Sequence, residues 1–227
     1  IIIDISVHLG SLLALLIFLR KDSLNLVKGF YYIVKFNFRE KEASLVLLLI
    51  LATVPVLMVG LFFKIHDINS LLRSIELIGW TMIFFGVFLF FSDQFGHTKK
   101  RTNHWNYRDS ILMGAFQILA LIPGVSRSGI TISGARLLGY ERYDAIKLSM
   151  LMSIPTILAS GALLIPGLLG VTTSVSFLEL FVSFIVSFFS AMLALSFLIK
   201  FLSVLSFTPY IVYRIALGVF LLWQVYS

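Results

Sequence analysis

The chain has 227 residues, 59% hydrophobic and only 13% charged, where an ordinary soluble domain is about a quarter charged. Its mean hydropathy of +1.00 is more apolar than a water-soluble fold of this length can bury, so lipid is part of its solvent. The absence of Cys excludes a disulfide scaffold and a zinc-thiolate site, the hydrophobicity excludes intrinsic disorder, and the net charge of +7 lies in short clusters between apolar runs, which suits membrane topology rather than nucleic-acid binding.

The composition predicts an all-α integral membrane protein. A span takes about 20 apolar residues at 1.5 Å rise to cross about 30 Å of hydrocarbon. Six stretches qualify: 1–19, 43–63, 75–91, 145–165, 178–199 and 210–226. The connection 20–42 carries Arg20, Lys21, Lys28, Lys35, Arg39 and Lys41, and 92–109 carries Lys99, Lys100, Arg101 and Arg108. The connection 64–74 has Lys64 and Arg73 alone, and 166–177 has no base. On the positive-inside rule the two basic connections are cytoplasmic and the other two external.

Between the third and fourth spans lies 110–139, whose topology decides the rest. If it crossed the membrane, the bases Arg136, Arg142 and Lys147 would fall outside and the base-free connection inside; a segment that dips in and returns satisfies the rule at both places. The letters agree: 110–122 reads as a short apolar helix, Pro123-Gly124 breaks it, and 130–138 restarts a helix before Gly139. The expected organisation is one membrane domain over 1–227. Residues 1–92 are three spans of a first repeat, 93–109 a cytoplasmic loop, 110–139 a re-entrant helix-loop-helix, and 145–227 three spans of a second repeat. Element count then predicts an inverted-topology repeat whose first re-entrant element precedes residue 1.

The break carries the chemistry. Arg127 at membrane depth is costly unless paired or hydrated, and Ser126, Ser128 and Thr131 lie beside it. Gly129 precedes the expected helix restart, so free N–H groups and the positive end of a helix dipole point to the same place, an arrangement that binds phosphate. The residues alone leave a second reading open, in which Pro-Gly kinks a helix, the serines pack between helices and Arg127 snorkels to the interface.

The run 117–122 (QILALI) followed by PGVSRSGITISG resembles the signature of the bacterial undecaprenyl-diphosphatase, or bacitracin-resistance, family. His8-Leu9-Gly10-Ser11, Asp4, Pro55 to Gly60, Ser153-Ile154-Pro155 and Phe207-Thr208-Pro209-Tyr210 with Arg214 resemble it too, so the likeness spans the chain, although His8 stands where the family has Gln. The resemblance implies an inverted-repeat fold whose two re-entrant loops meet. It implies hydrolysis of undecaprenyl diphosphate to undecaprenyl phosphate plus phosphate on the outer side of the bacterial cytoplasmic membrane, recycling the lipid carrier for cell-wall synthesis and conferring bacitracin resistance. It further implies that Arg127 and Ser126 are catalytic and that Gly124, Ser128, Gly129 and Thr131 bind the diphosphate. Gln117 either donates to phosphate or caps backbone freed by Pro123. The family's acidic loop, with two glutamates, serines and a histidine, is expected before residue 1. The attacking group is water or a hydroxyl such as Ser126. A divalent cation, Mg or Ca, is implied by the family, although these residues form no recognisable metal site. The partners expected are a polyprenyl diphosphate and membrane lipid, with a homo-oligomer compatible and no nucleic acid. The alternative function is a transporter or flippase that grips a lipid phosphate with the same arginine; a third reading is a non-catalytic fragment.

Elsewhere the expectations are structural. Asp4 and His8 share a helical face as a buried hydrogen-bonded pair, and Arg136, Arg142 and Lys147 are topology signals. His97, His104 and Lys99-Lys100-Arg101 form a solvated loop near anionic lipid, and Trp80 and Trp223 belong to the interfacial belt.

Overall fold

The computed structural model describes residues 2–96, 99–164, 176–202 and 206–227. Most of the expected base-free connection and His97 lie outside them. The described residues are helical: α1 (Ile2–Phe18), α2 (Arg20–Val34), α3 (Lys41–Ile65), the single turn α4 (Ile68–Leu71), α5 (Ile75–Phe95), α6 (Tyr107–Ile118), α7 (Arg127–Leu137), α8 (Arg142–Leu164), α9 (Phe177–Phe197) and α10 (Thr208–Tyr226). Short 3₁₀ turns at Thr102–His104 and Leu119–Leu121 flank α6, and a π-helical stretch Leu198–Leu202 follows α9. Five helices (α3, α5, α8, α9 and α10) are long and apolar enough to cross a membrane, and α1 with α2 forms a further apolar pair bent by 98°. These match the expected segments to within a few residues.

One expectation fails in the basic connection 20–42, which is not a loop: most of it is helix α2. Leu24, Val27, Tyr31 and Val34 recur at three- and four-residue spacing between the bases, a helical period that counting charges passes over.

The described chain divides into two compact units. The first holds residues 1–47 and 151–200, and its centre is the pairing of α1 with α9. Hydroxyls cross that interface in both directions: Ser6 Oγ donates to the Leu180 carbonyl and Ser187 Oγ to that of Val7, each at 2.7 Å. Small hydroxyl residues suit close contact in lipid, where apolar burial drives no association. The expected Asp4–His8 pair is corrected here. The His8 ring bonds the backbone carbonyl of Asp4 at 2.7 Å, and Asp4 itself is exposed, because the i to i+4 geometry brings the imidazole to the carbonyl ladder first.

The second unit holds residues 48–150 and 201–227. Here α5 and α10 pack antiparallel, with the Tyr226 hydroxyl on the Glu76 carboxylate near one end. Gly79, early in α5, meets Gly218: a Cβ on Gly79 would lie 2.7 Å from Leu222, and one on Gly218 2.8 Å from the Gly79 carbonyl. Beside this pair runs a helical hairpin, α6–α7. Ser110 Oγ donates to the Leu48 carbonyl of α3, and the Tyr140 hydroxyl just beyond α7 donates to Asp109 at 2.6 Å. The chain from 109 to 140 therefore leaves and returns at one end.

Ionic contacts lock that base. Asp93 at the end of α5 receives Arg136 Nε at 3.0 Å and Arg142 Nε at 2.8 Å and Nη2 at 2.7 Å, and Arg136 also donates to the carbonyls of Asp93 and Tyr140. Lys100 pairs with Asp109 at 2.8 Å, and Asp144 accepts from both N–H and hydroxyl of Thr102. Burial first, then the hydrogen bond to Asp109, push the Tyr140 phenol well above its ordinary pKa. These contacts give two sets of the expected bases a structural role as well. Arg136 and Arg142 are locked onto a buried carboxylate, and Lys100 and Arg101 are paired rather than merely solvated, because Asp93, Asp109 and Glu141 reach them only through the fold. Trp80 and Trp223 are 54% and 64% exposed.

Asp93→Ala should destabilise the folded protein by about 3–5 kcal/mol, since it strands the buried Arg136 charge, whereas Arg101→Gln, which breaks an exposed pair, should cost about 1 kcal/mol or less. Thermal unfolding in detergent, read by loss of the monodisperse peak, checks both.

Candidate active site

The hairpin tip is built from a helix that cannot continue. After α6 and its 3₁₀ turn, Pro123 removes a backbone donor and Gly124 takes φ +89°, a conformation that side chains other than glycine's resist. A Cβ there would also collide with Thr81 Oγ1. Two side chains take up the carbonyls that the break sets free. Thr81 of α5 donates to Pro123 O at 2.7 Å, and Arg214 of α10 donates through Nη2 to Gly124 O at 2.6 Å.

The chain then re-enters helix at Arg127, not at residue 130 as expected. The reason is Ser126: at φ +67° it stands as N-cap of α7, and its Oγ accepts the N–H of Gly129 at 3.3 Å. Gly129 thus lies in the first turn rather than ahead of it. Ser126 Oγ also sits 3.2 Å from the Tyr210 hydroxyl and 3.4 Å from Ser128 Oγ, so three hydroxyls gather at the positive end of α7.

Two guanidiniums belong to this turn. Arg127 is half-buried, and its guanidinium has no hydrogen bond or ion pair among the described residues. Arg214 is 3% exposed, and its Nη1 is buried with no hydrogen-bond partner among the described residues. That nitrogen would lie 2.8 Å from a Cβ on Gly129, so the glycine leaves the space around it open. The Arg214 guanidinium also lies 5.8 Å from the Tyr210 ring centroid. Two cations, one of them buried and incompletely satisfied, face hydroxyls and first-turn N–H groups with no carboxylate in any described contact. The chemistry that completes such a set is a multiply charged anion. Among the described residues no three His, Asp or Glu gather as ligands, and the donors at the tip are cationic or neutral.

The expected site residues do not all face the tip. Gly124, Ser126, Arg127, Ser128 and Gly129 are brought together there. Thr131 is fully buried, and its hydroxyl is engaged with the Arg127 carbonyl at 2.9 Å and Ser149 Oγ at 2.7 Å, so it braces α7 against α8. Gln117 is fully enclosed within α6 and has no surface open to a ligand. Arg214, Tyr210 and Thr81 were assigned no role from sequence. For Arg214 a signal existed, since a lone arginine in the apolar run 210–222 marks a site by its cost in lipid. Tyr210 lies in the family-like stretch that ends at Arg214, which gives it no role by itself, and Thr81 has no signal in the letters.

The hairpin also has a definite height. Its base meets α5 at Asp93 and its tip meets α5 at Thr81, twelve residues or about 18 Å away along the helix. The tip therefore lies toward the end of α5 that carries Trp80.

Comparison with known proteins agrees in extent as well as in motif. The family described as Bacitracin resistance protein BacA matches residues 1–220. A protein of Dinoroseobacter shibae named undecaprenyl-diphosphatase is 45% identical over the whole chain and 85% of its own length. Proteins of the same name from Roseobacter denitrificans (44% identical, 99% of the chain, 84% of its length) and Alcanivorax borkumensis (39%, 97% and 83%) are similarly close. With five apolar membrane-length helices among the described residues and a family match over residues 1–220, this chain is a multi-pass membrane protein and belongs to the bacitracin resistance protein BacA family.

Proposed function

We propose that this chain hydrolyses undecaprenyl diphosphate to undecaprenyl phosphate and phosphate, the reaction named for its relatives, and so returns the lipid carrier to cell-wall synthesis and confers bacitracin resistance. The observation that carries the reading is the pair of incompletely satisfied arginines, Arg127 and Arg214, at the hydroxyl-lined start of α7. Relatives named as phosphatases favour hydrolysis over carriage of a lipid phosphate.

In this reading the diphosphate lies across the tip. Arg127 offers a planar fork to the terminal phosphoryl oxygens, and Arg214, held by Nη2 on Gly124 O, directs Nη1 to the same anion. Ser126 and Ser128 hydroxyls and the first-turn N–H groups complete the cradle. Water attacks the terminal phosphorus, the bond to the bridging oxygen breaks, one water proton stays on the released phosphate and the other passes to solvent, and the charge that builds on the equatorial and leaving oxygens is met by donors already in position. Ser126 is read as an orienting donor, its Oγ held at the start of α7 by the Gly129 N–H and lying beside the Tyr210 and Ser128 hydroxyls. The hydrocarbon tail suits a site set among apolar helices.

The finer topology follows the same lines: six spans with a re-entrant α6–α7, in the bacterial cytoplasmic membrane, arranged as two repeats of inverted topology. The basic connections face the cytoplasm and the tip opens outward. Return of the hairpin to its own base supports the re-entrant course, and its height beside Trp80 supports outward opening.

Arg127→Ala should lower kcat for phosphate release from undecaprenyl diphosphate by about 10²–10³-fold with folding intact; wild-type turnover would refute the role. Arg127→Lys should recover only part of the loss, since an ammonium lacks the fork. Arg214→Gln should also slow turnover by at least about 10²-fold, while Thr131→Val, which removes an internally used hydroxyl, should chiefly lower thermal stability. Ser126→Ala should leave slow but measurable turnover, with a cap loss of about 1 kcal/mol; a phosphoseryl intermediate trapped at residue 126 would overturn the water-attack scheme.

A further inference from the structure

Helix α2 has two faces that the site does not use. On one, Gly29 is packed so closely on the start of α3 that a Cβ would collide with the Glu42 carbonyl and lie 2.8 Å from Val46. On a helical wheel the opposite side is an arc of about 120° that holds Phe30, Val34, Val27, Tyr31 and Leu24. Each of these is more than half exposed. One edge of the arc is lined by Lys28, Lys21 and the C-capping Lys35, all exposed, with Arg20 inside it. The axis of α2 is turned 98° from that of α1, at right angles to a helix of nearly membrane-spanning length.

We infer that α2 is a surface helix that docks on an anionic phospholipid leaflet. An apolar arc of this width in a soluble setting would be covered by protein. Here the element carries its own cations along the arc's border, where long ammonium side chains reach phosphates while their stems lie against acyl chains. The bend sets the axis along the bilayer plane when α1 stands near its normal. Between residues 20 and 42 six bases face Asp22, Glu40 and Glu42, an excess of three positive charges matched to an anionic surface. Docking would fix the depth of α1 and of the first turn of α3 at Gly29. The inference does not depend on the phosphatase reading.

The chain has no Cys, so a single one can be introduced cleanly. Full-length protein carrying a bimane label on Val27→Cys, or on Asn25→Cys beside the packed face, is placed in phosphatidylcholine vesicles with about a third phosphatidylglycerol and with spin-labelled acyl chains. Quenching at position 27 should exceed that at 25 by about two-fold or more. Spin-labelled phosphatidylglycerol should quench position 27 more strongly than spin-labelled phosphatidylcholine, and Lys21→Gln/Lys28→Gln/Lys35→Gln should abolish that preference. Equal quenching at 27 and 25 would overturn the inference. So would quenching at 27 that vanishes as protein density rises while labels on two copies transfer energy, since a second copy then covers the arc. Tyr31→Cys serves on the same arc if the Val27 label prevents folding, and retained monodispersity reports that each variant is folded.

Discussion

A helix that stops among apolar neighbours leaves backbone groups that water cannot reach, and each costs several kcal/mol unless the protein supplies a partner. Everything at the α6–α7 tip answers that constraint. Thr81 takes the Pro123 carbonyl, Arg214 takes that of Gly124, and Ser126 takes an N–H at the start of α7. These groups come from three separate stretches of chain, held together by the glycine contact between α5 and α10. Repairing the break thus brings a second arginine, with one nitrogen spent on the backbone and one unspent, to the place where the first already stands.

The chain uses arginine in two opposite ways along one short helix. At the C-terminal end of α7, Arg136 is nearly inaccessible, and its guanidinium donates to Asp93, Tyr140 and Gly96. At the N-terminal end, the Arg127 guanidinium is left without a protein partner among the described residues. A paired buried guanidinium is electrostatically silent, whereas an unpaired one in low dielectric interacts strongly with any anion that enters. The same helix therefore has a locked base and a charged tip, and its dipole adds to the positive end. Rigid anchorage of the base is also what allows the tip to be positioned: a donor set assembled before the substrate arrives has no reorganisation cost when charge develops.

Much of this was readable in the letters, and the failures share a cause. The apolar runs, the Pro-Gly break and the PGVSRSG segment are local properties, and α3, α5, α8, α9 and α10 appear where their runs do. The restart of α7 was misplaced by three residues because the capping role of Ser126 depends on a side chain folding back on Gly129. Helix α2 was missed because its charges outweighed its period. Thr131 reads as a ligand by adjacency but turns inward to Ser149, since four residues along a helix bring it back over Arg127 O rather than out toward the tip.

By itself the sequence determined the solvent, the membrane-length helices and the place of the break, because span length, hydropathy and proline geometry act over neighbouring residues. Only the tertiary structure decided which polar side chains are used up and which are left over. Asp93 silences Arg136 across 43 residues of chain, and Arg214 reaches Gly124 across 90. No local pattern encodes such pairings, since the energy of a buried charge depends on what the fold brings within a few ångströms of it.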